Sequence, residues 1–215
     1  LNPSLSKKNK TKSSGQFNRS SLTVASLLSG PEPSTQNSQK EENEFSKGKT
    51  FEYENNSKFN GIFNYLKNKS DNNVEKEVEI TSSSEQNFHF GAKKAILLPD
   101  QDDFFASKCA KDSWICFDFK NHRVLPTCYT IGSTINSFRI RSWVIEGSVD
   151  NEKWDIIDTQ KDCSQMNNHN IVQAFMIKQD DLKQFKYIRL RMNGPNWSNN
   201  DYLRINSFEL YGTYY

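Results

Sequence analysis

RSWVIEGSVDNEKWDIID occupies residues 141–158. Two short runs rich in β-branched and aromatic residues, SWVIEGSVD (142–150) and KWDIID (153–158), flank VDNE (149–152). Asp and Asn tolerate turn geometry, so the stretch predicts a β-hairpin. The same signal recurs outward in both directions. Upstream lie VEITSSS (78–84), SWICFDF (113–119) and RVLPTCYTI (123–131); downstream lie IVQAFMIK (171–178), KYIRLRM (186–192) and LRINSFELYG (203–212). Side chains alternate across a strand, which sets Ile115, Phe117 and Phe119 against Trp114, Cys116 and Asp118. The same alternation sets Ile188, Leu190 and Met192 against Tyr187, Arg189 and Arg191. Two stretches read as helical: GIFNYLKNK (61–69), long enough for two turns, and GAKKAILLPD (91–100), which Pro99 ends. Many short strands with few helices predict an all-β sandwich of two antiparallel sheets. Trp143, Trp114 and Trp154 are expected as core or sheet-face anchors.

Composition narrows the class. The 215 residues carry a formal net charge of +2, without the basic excess of a dedicated nucleic-acid binder. No run approaches the roughly 18–20 apolar residues of a transmembrane helix. Residues 1–50 hold 11 Ser but only two aromatics, Phe17 and Phe45, too little apolar surface to offset the entropy of ordering. This segment is expected to be a disordered Ser/Lys-rich tail or linker, with the folded domain over 55–215. Its basic run KKNKTK (7–12) and its apolar stretch SLTVASLL (21–28) read as linker rather than as import or secretion signals. The chain begins at Leu1, and an upstream domain is expected.

The order VEITSSS, SWICFDF, RVLPTCYTI, RSWVIEGSVDNEKW, KYIRLRMNGPNW and LRINSFELYG resembles a coagulation factor 5/8 type C, or discoidin-like, domain over residues 59–212. With GIFNYL near the start and GPNW near the end, it is most similar to intracellular forms associated with BTB/POZ proteins in protists. The resemblance implies an eight-stranded jelly-roll β-sandwich of the galactose-binding-domain-like type. It also implies a non-enzymatic module whose ligand sits on loops at one end. Extracellular members commonly tie the domain ends with a disulfide, yet neither end has a cysteine here. Cys109, Cys116, Cys128 and Cys163 lie inside the domain without a CxxC pair. A cytoplasmic location is therefore expected.

Catalytic patterns are missing: His89, His122 and His169 are scattered, with no HExxH and no GxSxG. Three loops hold the candidate site. In PDQDDFF (99–105), Asp102, Asp103, Phe104 and Phe105 resemble the ligand-contacting position of relatives. Asp100, Asp102 and Asp103 offer oxygen to calcium, but the loop lacks the EF-hand pattern and no metal or cofactor is expected. In NGPNWSNND (193–201), Asn196 and Trp197 sit among turn formers, with Trp197 either an exposed anchor or a plug for the sandwich end. Beside GSTINSFR (132–139), Arg139 and Arg141 can meet an anionic group in a forked geometry or pair with a carboxylate. Arg189 and Arg191 are read as scaffold. The expected function is recognition of a protein or peptide partner through these loops. The alternative is a carbohydrate- or phospholipid-binding domain at a cell surface.

Overall fold

The structure, a computed structural model, describes residues 47–96, 103–135, 138–178 and 183–215. Five antiparallel strands form one sheet in the order β2 (Glu79–Ser82), β4 (Trp114–Asp118), β9 (Tyr187–Met192), β6 (Trp143–Ser148) and β7 (Asp155–Gln160). Four form the other, in the order β1 (Lys49–Phe51), β11 (Ser207–Tyr214), β5 (Val124–Gly132) and β8 (Val172–Met176). A two-residue pair, β3 (Phe105–Ala106) with β10 (Arg204–Ile205), stands apart at one end. The described residues thus hold eleven strands rather than the eight implied by the resemblance. Additions such as the β3–β10 pair and β1 are too short to leave a periodic signal.

The alternation read from the sequence is the packing pattern. Ile115, Phe117, Ile188, Leu190, Trp143 and Ile145 are buried on one sheet and face Tyr129, Ile131, Phe208 and Leu210 from the other. Phe117 stacks on Phe208 across the sandwich at 5.2 Å. Trp143 is fully buried and donates through Nε1 to Tyr129 Oη at 3.0 Å, which meets the polar end of an otherwise apolar anchor. Trp114 and Trp154 lie on the outer sheet face, where both indoles flank the Arg189 guanidinium at 5.9 and 3.8 Å.

The hairpin expected over 142–158 forms as β6 and β7, with Asn151 in the left-handed region at φ 63°. Ser148 Oγ accepts the Asn151 N–H at 2.9 Å, and Asp150 Oδ1 accepts those of Glu152 and Lys153 at 2.9 Å. Those two backbone donors, Lys153 first, hold the Asp150 carboxyl below its ordinary range. Pro126 inside β5 is unusual for a central strand. It pairs with Gly212 next to a bulge in the β5–β11 ladder, where a missing donor does no harm.

GIFNYLKNK yields helix α1 (Ile62–Lys69), which sends Phe63 into the core 4.8 Å from Phe117. GAKKAI gives only a 3₁₀ turn over Ala92–Ile96. Ordered structure extends upstream of residue 55. Lys49–Phe51 pairs with β11, and Phe51 packs on Tyr65 at 5.1 Å, an interaction between distant segments that composition conceals. The rest of the segment read as a tail, 1–46, lies outside the described residues. The four cysteines are free; burial pushes the Cys116 thiol up to about 12 and Cys128 up to about 11. No helix among the described residues is long and apolar enough to cross a membrane.

Candidate functional site

The loop after β9 turns on Asn196. Its Nδ2 donates to Asn200 Oδ1 at 2.6 Å and to the Tyr202 carbonyl at 3.0 Å. Its Oδ1 accepts the N–H groups of Ser198 at 2.9 Å and Asn200 at 3.3 Å. The side chain is fully buried and its hydrogen-bonding capacity is spent inside the loop, so it frames the site rather than facing a ligand. Asn199 in the left-handed region (φ 55°) completes the turn.

This frame presents Trp197. The Trp197 N–H donates to the Arg139 carbonyl at 3.0 Å, which ties the loop to the segment entering β6. The indole is half-buried, with Nε1 turned inward and without a hydrogen-bond partner among the described residues, and the Arg141 guanidinium lies over the ring at 4.9 Å. Arg141 Nε in turn donates to Asp162 Oδ1 at 2.6 Å. Of the two readings of Arg141, the structure shows the carboxylate pairing, and the paired guanidinium also lies beside the aromatic ring. Arg139 Nη2 donates to Asn167 Oδ1 at 3.0 Å, and its Nη1 lies 3.2 Å from the His169 ring. His169 Nδ1 is 2.7 Å from the Ile135 carbonyl, and Ile135 is itself half exposed. Trp197, Arg139 and Arg141 therefore form one patch with Asp162, Asn167 and His169, contributed by three loops at one end of the sandwich.

The third loop contributes differently. Phe105 is fully buried in β3, and Phe104 is buried and stacked on Phe90 at 4.4 Å, so neither is a protruding contact. Alternation was no guide here, because the β3–β10 pair places both rings against the interior. Asp103 Oδ1 accepts from Lys94 Nζ at 2.7 Å, and its carbonyl accepts from Asn206 Nδ2 at 2.9 Å. Asp100 and Asp102 lie outside the described residues. Among the described residues no three His, Cys, Asp or Glu side chains gather as a metal site would require.

A second cluster adjoins the patch and escaped the sequence reading. Phe138 and Tyr202 pack at 5.4 Å, and the Arg204 guanidinium lies 4.3 Å from the Phe138 ring. Arg204 was hidden inside an apparently ordinary strand run. Asp162, Asn167 and His169 were hidden in a loop of scattered polar residues, where only the tertiary fold brings them to Trp197. Arg189 and Arg191 are far simpler: both donate to the buried carboxylate of Glu146, at 2.7 and 2.6 Å. Burial acts to raise the Glu146 carboxyl, but the hydrogen bonds from Arg191 and Arg189 prevail and hold it below its usual range.

The family model described as F5/8 type C domain matches residues 79–207. No curated protein matches the chain. Among solved structures, the F5/8 type C domain of a Bacteroides fragilis protein is similar at TM-score 0.52 and 15% identity, covering 65% of this chain and 93% of its own. A Clostridium perfringens CBM32 module in complex with GalNAc-β-1,3-galactose is similar at TM-score 0.50 and 10% identity, covering 64% of this chain and 97% of its own. CBM32-1 from a family 31 glycoside hydrolase of Clostridium perfringens is similar at TM-score 0.50 and 14% identity, covering 63% and 94%. At these identities the likeness is one of fold.

Proposed function

The chain belongs to the F5/8 type C domain family, and on that premise we propose that it is a non-enzymatic carbohydrate-binding module whose ligand lies on the Trp197 patch. One observation carries the reading: a half-buried indole at the loop end lies beneath the Arg141 guanidinium, which Asp162 holds, and its main chain is tied to Arg139, whose guanidinium meets Asn167 and His169. A sugar ring has an apolar C–H face and a rim of hydroxyls that both donate and accept. An aromatic platform edged by a guanidinium, a carboxylate and an amide matches both surfaces. The Clostridium perfringens neighbour, solved with a disaccharide, supports the second of the two readings made from sequence over the protein or peptide partner. The non-enzymatic character is supported by membership of a family of binding modules.

The test is a glycan array probed with the full chain, followed by calorimetry on the best ligand with Trp197→Ala and Arg141→Ala. Each variant is expected to weaken binding on the order of tenfold or more, since truncating a central aromatic or Arg anchor typically loses at least ~1.4 kcal/mol. Its melting temperature should stay close to that of the parent. An array that retains nothing, together with a peptide or lipid vesicle that binds and is lost in the same variants, overturns the carbohydrate reading.

A further inference from the structure

Arg204, the first residue of β10, is only 9% exposed, and its guanidinium is enclosed by the rings of Phe138 (4.3 Å), Tyr202 (5.3 Å) and Phe104 (5.5 Å). Aromatic rings address the faces of a guanidinium and leave its in-plane N–H donors to find acceptors elsewhere. Here Nη2 donates to Gln86 Oε1 at 3.0 Å, while the buried Nε has no acceptor among the described residues. No carboxylate pairs with this cation among the described residues. The contrast with its more exposed counterparts is plain: Arg141 has Asp162, and Arg189 and Arg191 share Glu146. Withdrawing a cation from water without an anion is costly, and buried arginines are ordinarily paired.

Nε and Nη2 point the same way and form the side-on fork that receives the two oxygens of a carboxylate. In the protein alone, the single amide oxygen of Gln86 fills one arm of that fork. Gln86 is exposed, and its backbone is held independently by an N–H bond to the Ala106 carbonyl at 2.8 Å. Its side chain can therefore swing aside without disturbing the core. The position also belongs to the same end of the sandwich as the Trp197 patch. Phe138 directly precedes Arg139, and the Tyr202 carbonyl is bonded to Asn196 in the Trp197 loop.

We propose that Arg204 receives the carboxylate of an acidic sugar, with Gln86 occupying the carboxylate's place until the ligand arrives. This rests on the carbohydrate reading and narrows it to glycans bearing a uronic-type acid. A neutral sugar has nothing to offer the fork that Gln86 does not already supply. An acid replaces one neutral hydrogen bond by two charge-assisted ones.

The experiment follows the arginine Nε–H resonances of the ¹⁵N-labelled full chain during titration with glucuronate, glucose and acetate. The Arg204 signal is assigned by its displacement in Gln86→Glu. Glucuronate is expected to move that signal saturably and glucose to leave it in place. Gln86→Glu, which builds a carboxylate into the fork, should raise the melting temperature and weaken glucuronate binding on the order of tenfold or more. If acetate moves the signal as strongly as glucuronate at equal concentration, the carboxylate site stands and the carbohydrate reading falls. If glucuronate binds but the signal does not move, or binding is unchanged in Gln86→Glu, the role of Arg204 is overturned and the carbohydrate reading survives. A signal that neither acid displaces overturns the proposal outright.

Discussion

Glu209 lies in the middle of β11, fully enclosed, yet it is an acid. Its Oε1 accepts the N–H groups of Phe63 at 2.8 Å and Leu210 at 2.9 Å, and its Oε2 accepts that of Asn64 at 3.1 Å. Two of those donors belong to the first turn of α1, whose N-cap, Gly61, has no side chain to offer. The carboxylate thus serves as a cap supplied by a strand distant in sequence. Burial pushes its carboxyl up to about 7 from an ordinary 4.5, with the backbone donors opposing the rise. A carboxyl whose folded pKa is raised binds its proton more tightly in the folded state. Its contribution to stability is then fully present below about 4.5 and lost as pH rises through about 7. Melting temperature measured from pH 5 to pH 8 is expected to fall for the parent over that window, and Glu209→Gln should flatten the slope. A slope unchanged in the variant would assign the pH dependence to another group. At the same scale, the site residues named from sequence divide by burial: Trp197, Arg139 and Arg141 reach the surface patch, whereas Asn196, Phe104 and Phe105 serve the frame.

Among the elements, β11 and β5 show how two strands become a tight pair. Gly212 adopts φ +130°, and a Cβ there would meet the Leu125 carbonyl oxygen at 2.0 Å. Both the backbone angle and the close approach exclude a side chain, and the obstacle is backbone rather than a flexible tip. Gly212→Ala is expected to lose on the order of 2–4 kcal/mol, read from urea unfolding midpoints. Gly91 is the control. It has an ordinary angle, and an added Cβ meets only the Glu85 side chain at 3.3 Å, so Gly91→Ala should stay within about 1 kcal/mol of the parent. Equal losses in the two variants would show that the bulge geometry does not set the effect.

For the whole molecule, the sheet edge formed by β1 closes the four-stranded sheet against the C-terminal strand. Lys49 pairs with Tyr214 and Phe51 with Gly212, while Lys49 Nζ lies 4.0 Å over the Tyr65 ring. A chain begun at Asn55 keeps both large sheets but loses this edge and the packing of Phe51 on α1. It is expected to unfold with about 1–3 kcal/mol less stability than a chain begun at Lys47, from the apolar surface left uncovered. Identical unfolding curves would place the domain boundary after β1.

Strand identity and face were written in the sequence. The alternation in SWICFDF and KYIRLRM is a local property of a strand with one buried side, and the VDNE turn depends on residues adjacent in the chain. The membership of the family follows from those same runs and their order. The candidate site was legible only where its residues stood in conspicuous loops, as Trp197 and Arg141 do. Its remaining members, Asp162, Asn167, His169 and Arg204, have no local signal, because their surroundings come from segments tens of residues away. The same holds for β1, for the two-residue β3–β10 pair and for the cap that Glu209 gives α1. Period and turn chemistry act between neighbours, whereas burial, pairing and the enclosure of a charge are decided by what the rest of the chain brings alongside. Local sequence thus determined the strands and their inward faces; the tertiary fold alone decided which loops meet and that the buried Arg204 guanidinium has no carboxylate partner among the described residues.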